Sequence, residues 1–191
     1  MGKASSKQAI NFVTRYSIYF ITLIFMVICT CMNDRFLTVE NIINILRQIS
    51  VYALLAFAES VCIISGNLDL AAASTLVFSG CMSIFVYTAT ESLLLAVLVA
   101  VLVGVIINTV SGIIVAYFNI PPFVATLGMQ MSVRGAVYML TGGMTITETG
   151  ENFKVIGQGY VGPVPNPVLI MLLCAVVFWV LLDRTRLGRN F

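Results

Sequence analysis

Residues 92–133 read "SLLLAVLVAVLVGVIINTVSGIIVAYFNIPPFVATLGMQMSV", 42 residues without one charged side chain. A transmembrane helix needs about 20 apolar residues, so this run is too long for one crossing and suits two. The division falls at "NIPPF" (119–123), because Pro121 and Pro122 remove two amide donors and disfavour helix immediately before them. The stretch is therefore expected to hold two helices, from about Leu93 to Phe118 and from about Phe123 to Leu140.

The rest of the chain has the same character. It is 60% hydrophobic and 9% charged, with a mean hydropathy of +1.03 over 191 residues, whereas soluble domains carry about 25% charged residues. Lipid is the solvent such a surface fits. Tyr16 to Asn33 forms another uncharged run, preceded by Lys3, Lys7 and Arg15. It is longer than a signal-peptide core and lacks an A-x-A-like cleavage site, so it reads as a first retained helix. "NDRFLTVENIINILRQ" (33–48) suggests a short interfacial helix starting near Thr38–Asn41. A second span is expected from about Ser50 to Ser65, a third from Leu70 to Thr90 and a sixth from Val168 to Leu182. "TGGMTITETGENFKVIGQGYVGPVPNP" (141–167), rich in Gly, Pro and charge, reads as a loop over 142–167.

These readings give one all-α integral membrane domain over 1–191 with about six spans. The positive-inside bias places both ends in the cytoplasm, with Lys3, Lys7, Arg15, Arg184, Arg186 and Arg189 there and only Lys154 in the long loop. Arg35 and Arg47 fall on the outer side beside Asp34 and Glu40.

Several chemistries are excluded by inventory. There is no histidine, the commonest general base and metal ligand. The lysines Lys3, Lys7 and Lys154 lack a P-loop context. The five cysteines lie in apolar runs without zinc-site spacing and read as small buried residues. No cofactor, metal or nucleic acid is implied.

The costly residues are the acids inside spans. Asp69, in "ISGNLDLAAAS" (64–74), has three readings: a cap on the third span, a wall of a solute path, or a proton-coupling group. Asn67 and Ser65 offer local bonding beside it. Glu59 lies deeper in its span, and Arg134 in the fifth span is a possible partner, or else snorkels or faces a water-filled gap. Gly104, Asn108 and Gly112 recur every four residues, which suits close helix packing, or a pore-lining Asn108.

Five segments in order resemble the permease subunits of ribose/galactose-type ABC importers, within the branched-chain amino acid and simple-sugar permease family. "SGNLDLAAAS" (65–74) resembles the family's G-G-I-D-L-S-V-G-S, and "SGIIVAYFNIPPFVATLG" (111–128) its N-G-x-L-I-x-x-x-x-I-P-P-F-I-x-T-L-G. "RGAVYMLTGG" (134–143), the glycine–proline loop and "LDRTRLGR" (182–189) follow in order. The resemblance covers roughly 45–189, and together with the residue readings above it leaves Glu59, Asn67, Asp69, Asn108, Pro121, Pro122, Thr126 and Arg134 as path or motif candidates. It implies a multi-pass protein of a prokaryotic cell membrane that forms a solute path with a second permease subunit, the same or different. A separate cytoplasmic ATPase would drive it and an extracytoplasmic solute-binding protein would deliver a simple sugar and largely set specificity. Asn67 departs from the family's glycine, Ala71 and Ala73 from a serine and a glycine, Glu59 from a neutral polar residue and Ser111 from an asparagine. Family members continue past the last motif, so the chain is expected to be a fragment, a split product or a truncated permease. The other readings are a self-contained secondary transporter or channel, and a non-transporting remnant.

Overall fold

The computed structural model describes residues 14–146, 150–186 and 188. Lys3, Lys7 and Arg189, and residues 147–149 and 187 within the expected loop and last motif, lie outside the described residues. Contacts divide the chain into two units, Met1–Leu46 and Arg47–Phe191.

The first unit contains α1 (Ser17–Met32) and the start of α2 (Val39–Ile64). In α1 the hydroxyls of Thr22 and Thr30 donate to the carbonyls of Ile18 and Met26, at 2.7 and 2.8 Å, which satisfies them inside an apolar helix. At 16 residues α1 is shorter than a full span. Thr38 opens α2, its hydroxyl accepting from the Asn41 amide at 3.4 Å, and Asn41 donates in turn to the Phe36 carbonyl at 2.7 Å.

The expected interfacial helix and second span are a single helix of 26 residues. Nothing between Thr38 and Ser65 is Gly or Pro, so the polar Arg47–Gln48 step alters the surface of the helix without breaking it. At 1.5 Å per residue α2 is about 39 Å long, enough to carry a polar end beyond a hydrocarbon layer about 30 Å thick.

The second unit continues with α3 (Ala72–Thr90), α4 (Leu93–Phe118), α5 (Pro122–Thr141), α6 (Glu151–Gln158) and α7 (Asn166–Trp179). Ser92 caps α4, accepting from the Leu95 amide at 3.4 Å. Asn119, left-handed at φ +51°, stops α4, and Pro122 occupies the first turn of α5, where a missing amide hydrogen costs nothing. Pro121 and Pro122 thus act as helix punctuation. The last helix runs from Asn166 to Trp179 and continues as a π turn over Val180–Arg184, so its helical path covers the expected Val168–Leu182.

The loop expected over 142–167 has internal structure: α6 and a hairpin pairing β1 (Tyr160–Val161) with β2 (Val164–Pro165). Gly162, at φ +61°, leads its two-residue turn, the glycine-first pattern that such turns favour.

Among the described residues, four helices are long and apolar enough to cross a membrane: α2, α3, α4, and α7 with its π extension. The fifth expected crossing, α5, is 20 residues long but carries Gln130 and Arg134 and stands outside that set. The chain is an all-α multi-pass membrane protein.

Within the second unit α3 packs against both α4 and α5. Its buried row is Thr75, Ser79, Ser83 and Tyr87, spaced by four. Across from Ser79, a Cβ at Gly104 would lie 3.7 Å from the hydroxyl. Small residues let membrane helices approach closely, and dispersion holds them where no hydrophobic force can. The larger apolar side chains of α4, such as Leu98, Val101, Leu102 and Val105, point outward.

Candidate translocation site

The turn between α2 and α3 contains most of the costly polarity. Gly66, at φ +79°, adopts the left-handed conformation that ends a helix. The Gly66 amide donates to the Ile63 carbonyl at 3.0 Å and the Asn67 amide to the Cys62 carbonyl at 2.9 Å, the paired bonds of a Schellman motif. Ser65 donates back to Val61 at 2.7 Å, and the Asn67 side chain to the Ser65 carbonyl at 3.2 Å.

Asp69 then accepts from the Ala71 amide at 2.9 Å, bending the chain into α3. Glu59 accepts from the Asp69 amide at 3.2 Å. From the other side, the hydroxyl of Thr126 lies 3.2 Å from the Leu68 carbonyl and 2.8 Å from that of Pro122. The partner of Glu59 is thus a backbone amide ten residues ahead, not Arg134. Glu59 and Asp69 are half-buried and Thr126 is buried.

Above this turn a cleft of about 580 Å³ runs between α3 and α5. Ala73, Val77, Cys81 and Ile84 form the α3 wall, and Gln130, Arg134, Tyr138 and Thr141 belong to the α5 wall. With Thr126 the α5 residues make a row at helical spacing, polar from the turn to the far end. Arg134 is exposed in the cleft, and among the described residues no carboxylate pairs with it. A guanidinium in a membrane helix faces a polar space or a partner, and here it faces the cleft.

The end of the cleft away from the turn meets Gly143–Ile146, just before the structured loop. Three contacts fix that loop to the helices. The rings of Phe153 and Tyr87 lie 5.1 Å apart. Arg47 of α2 hydrogen-bonds the Tyr160 hydroxyl and stacks over its ring at 5.1 Å. Asn166, at the start of α7, donates its side chain to the Val155 carbonyl at 2.7 Å and its amide to the Gly159 carbonyl at 2.9 Å.

The structure brings Glu59, Asp69 and Thr126 together, with Asn67 in the same turn, and sets Arg134 higher in the cleft. It leaves Asn108 exposed on α4 and outside the residues lining the cleft, and a Cβ at Gly112 would meet nothing within 4 Å. The face of α4 that packs holds Ile107 and Ser111 instead. Of the two glycines in the expected packing row, a Cβ at Gly104 would meet a neighbour and one at Gly112 would not. Gln130, Tyr138 and Thr141 were not singled out from sequence, although their spacing from Thr126 and Arg134 was visible. Among the described residues no cluster of three His, Cys, Asp or Glu could hold a metal ion.

The family model described as the permease component of branched-chain amino acid transport systems matches residues 41–191. The chain is 35% identical over 169 residues to the ribose import permease protein of Bacillus subtilis, covering 87% of this chain and 52% of that one. It is 30% identical over 192 residues to the L-arabinose transport system permease protein of Escherichia coli, covering 99% and 58%. With the galactofuranose transporter permease protein of Escherichia coli it shares 32% identity over 146 residues, covering 76% and 43%. No solved structure matches significantly. The chain spans about half the length of the curated relatives it matches. The turn, the double-proline junction and the polar row of α5 all lie within the matched residues, and the chain belongs to the branched-chain amino acid and simple-sugar permease family.

Proposed function

We propose that this chain acts as a membrane permease component of an ABC importer in a prokaryotic cell membrane, contributing a path for a simple sugar or a similar small polar solute. The observation that carries this reading is the α3–α5 cleft, polar along one helix in a chain of this family. Gln130, Arg134, Tyr138 and Thr141 offer hydroxyl, amide and guanidinium groups to a polyhydroxylated solute, and Ala73 and Val77 offer a smooth apolar wall opposite. Gradual exchange of water for such groups lowers the cost of moving a polar solute through lipid.

The chain supplies no nucleotide-binding lysine motif, so ATP hydrolysis falls to a separate cytoplasmic subunit. A second permease subunit completes the path, and an extracytoplasmic solute-binding protein delivers the solute to the end of the cleft near the 150–165 loop. That orientation follows the charge bias of the sequence. The test is uptake of labelled ribose, arabinose and galactose by vesicles containing this chain, the ATPase and the binding protein encoded with it. ATP-dependent uptake that disappears when this chain is omitted supports the reading. Uptake by this chain alone, driven by a pH gradient, contradicts it.

A further inference from the structure

Glu59 and Thr126 grip one peptide group. The Leu68 carbonyl and the Asp69 amide belong to the same peptide unit, and in a trans peptide they point in opposite directions. Glu59 of α2 takes the amide at 3.2 Å, and the Thr126 hydroxyl of α5, whose single hydrogen is shared with the Pro122 carbonyl at 2.8 Å, reaches the Leu68 carbonyl at 3.2 Å. The next side chain, Asp69, bonds the Ala71 amide and so sets where α3 begins. Ala73 and Ser74, directly after it, line the cleft.

We infer that Glu59 is a positioning residue: with Thr126 it clamps the Leu68–Asp69 peptide between α2 and α5 and so fixes the turn end of the cleft. The role needs an acceptor oxygen at Glu59 and no negative charge. A glutamine offers the same carbonyl-type oxygen at the same reach, whereas leucine keeps the bulk and removes the acceptor. The clamp predicts that Gln works and Leu fails. A proton carrier at this position predicts that both fail, because neither side chain titrates.

The test uses the full chain in lipid nanodiscs, with amide exchange read at Asp69 in Glu59→Gln, Glu59→Leu and Thr126→Val. The expected result is exchange within about twofold of the parent for Gln and about tenfold faster for Leu, the scale of one lost buried hydrogen bond. Thr126→Val frees the opposite side of the same peptide and is expected to speed Asp69 exchange several-fold. The Glu59→Leu/Thr126→Val double change then departs from the product of the single effects, since both act on one group. Exchange as fast in Gln as in Leu, or an Asp69 amide still protected in Leu, overturns the clamp.

The functional consequence rests on the permease reading. In vesicles with the partner subunits, Glu59→Gln keeps the parental KM for uptake, and Glu59→Leu raises KM more than it lowers the maximal rate. Loss of uptake in Gln with normal Asp69 exchange shows that the charge itself acts and overturns the inference. Absence of uptake in the parent refutes the transport reading, and the exchange arm still decides the clamp.

Discussion

The 65–71 turn and the 150–165 loop solve the same problem, holding helix ends together, with different chemistry. At the turn, side chains bond directly to backbone: Glu59 to Asp69, Asp69 to Ala71, Thr126 to Leu68. At the loop one such bond, from Asn166 to the Val155 carbonyl, is joined by rings and a guanidinium: Phe153 on Tyr87 and Arg47 on Tyr160. Backbone groups removed from water need a partner, because each unmade bond costs the full desolvation of the group. Aromatic and cation–π contacts tolerate water and small shifts in geometry. The turn is accordingly a fixed point of the molecule, and the loop is a cover with some tolerance.

The largest effect is expected where the turn has no alternative conformation. Gly66→Val places a β-branched residue at φ +79° and is expected to destabilise by about 2 kcal/mol, the left-handed penalty for such a residue. Denaturant titration of the purified chain in detergent reads it. Arg47→Ala removes both a hydrogen bond and a ring contact from the loop, about 1.5 kcal/mol in sum. Since these contacts are local, faster protease cleavage within 150–165 is expected, with little change in global unfolding.

A smaller effect separates two roles of Asp69. Asp69→Ala loses the bond to the Ala71 amide and costs about 1 kcal/mol, measured in the same titration, whereas Asp69→Asn keeps an acceptor and costs less. Equal losses for Ala and Asn would show that charge, not the bond, stabilises the turn. A comparable effect is expected for Gly150→Ala. Its Cβ would fall 2.8 Å from the Tyr87 hydroxyl and 3.0 Å from the ring edge, and that ring is buried against Phe153, so it gives only at a cost. About 1 kcal/mol is expected, together with altered fluorescence of the tyrosines.

Much of this was legible in the sequence for identifiable reasons. The bounds expected for α4, Leu93 to Phe118, are the observed ones, because Ser92 and the Asn119–Pro122 stretch punctuate both ends. The join within α2 was misread because Arg47 and Gln48 change polarity, and polarity does not end a helix. The hairpin escaped because its strands are two residues each, too short for any alternation, although Gly162-Pro163 was a turn signal. At the site, the expense of Glu59 and Asp69 could be seen, but the partner of Glu59 could not. That partner is a main-chain amide returned to α2 by a reversal of the chain, and every residue carries one. The spacing of Gly104, Asn108 and Gly112 misled for a geometric reason. Steps of four residues drift around a helix of 3.6 residues per turn, so Ser111 takes the packed position and Gly112 does not.

The most direct test of the central claim, that the α3–α5 cleft is the solute path, is thiol labelling along α5. In a chain with its five native cysteines replaced by alanine, single cysteines are placed at Gln130, Tyr138 and Thr141, and a control at Asn108 on the exposed face of α4. The assembled transporter is treated with a membrane-impermeant thiol reagent, with and without the transported sugar. The account predicts labelling at the three α5 positions that sugar slows, and no sugar effect at Asn108. Sugar protection at Asn108 with unreactive α5 positions would contradict it and move the path to the other side of the bundle.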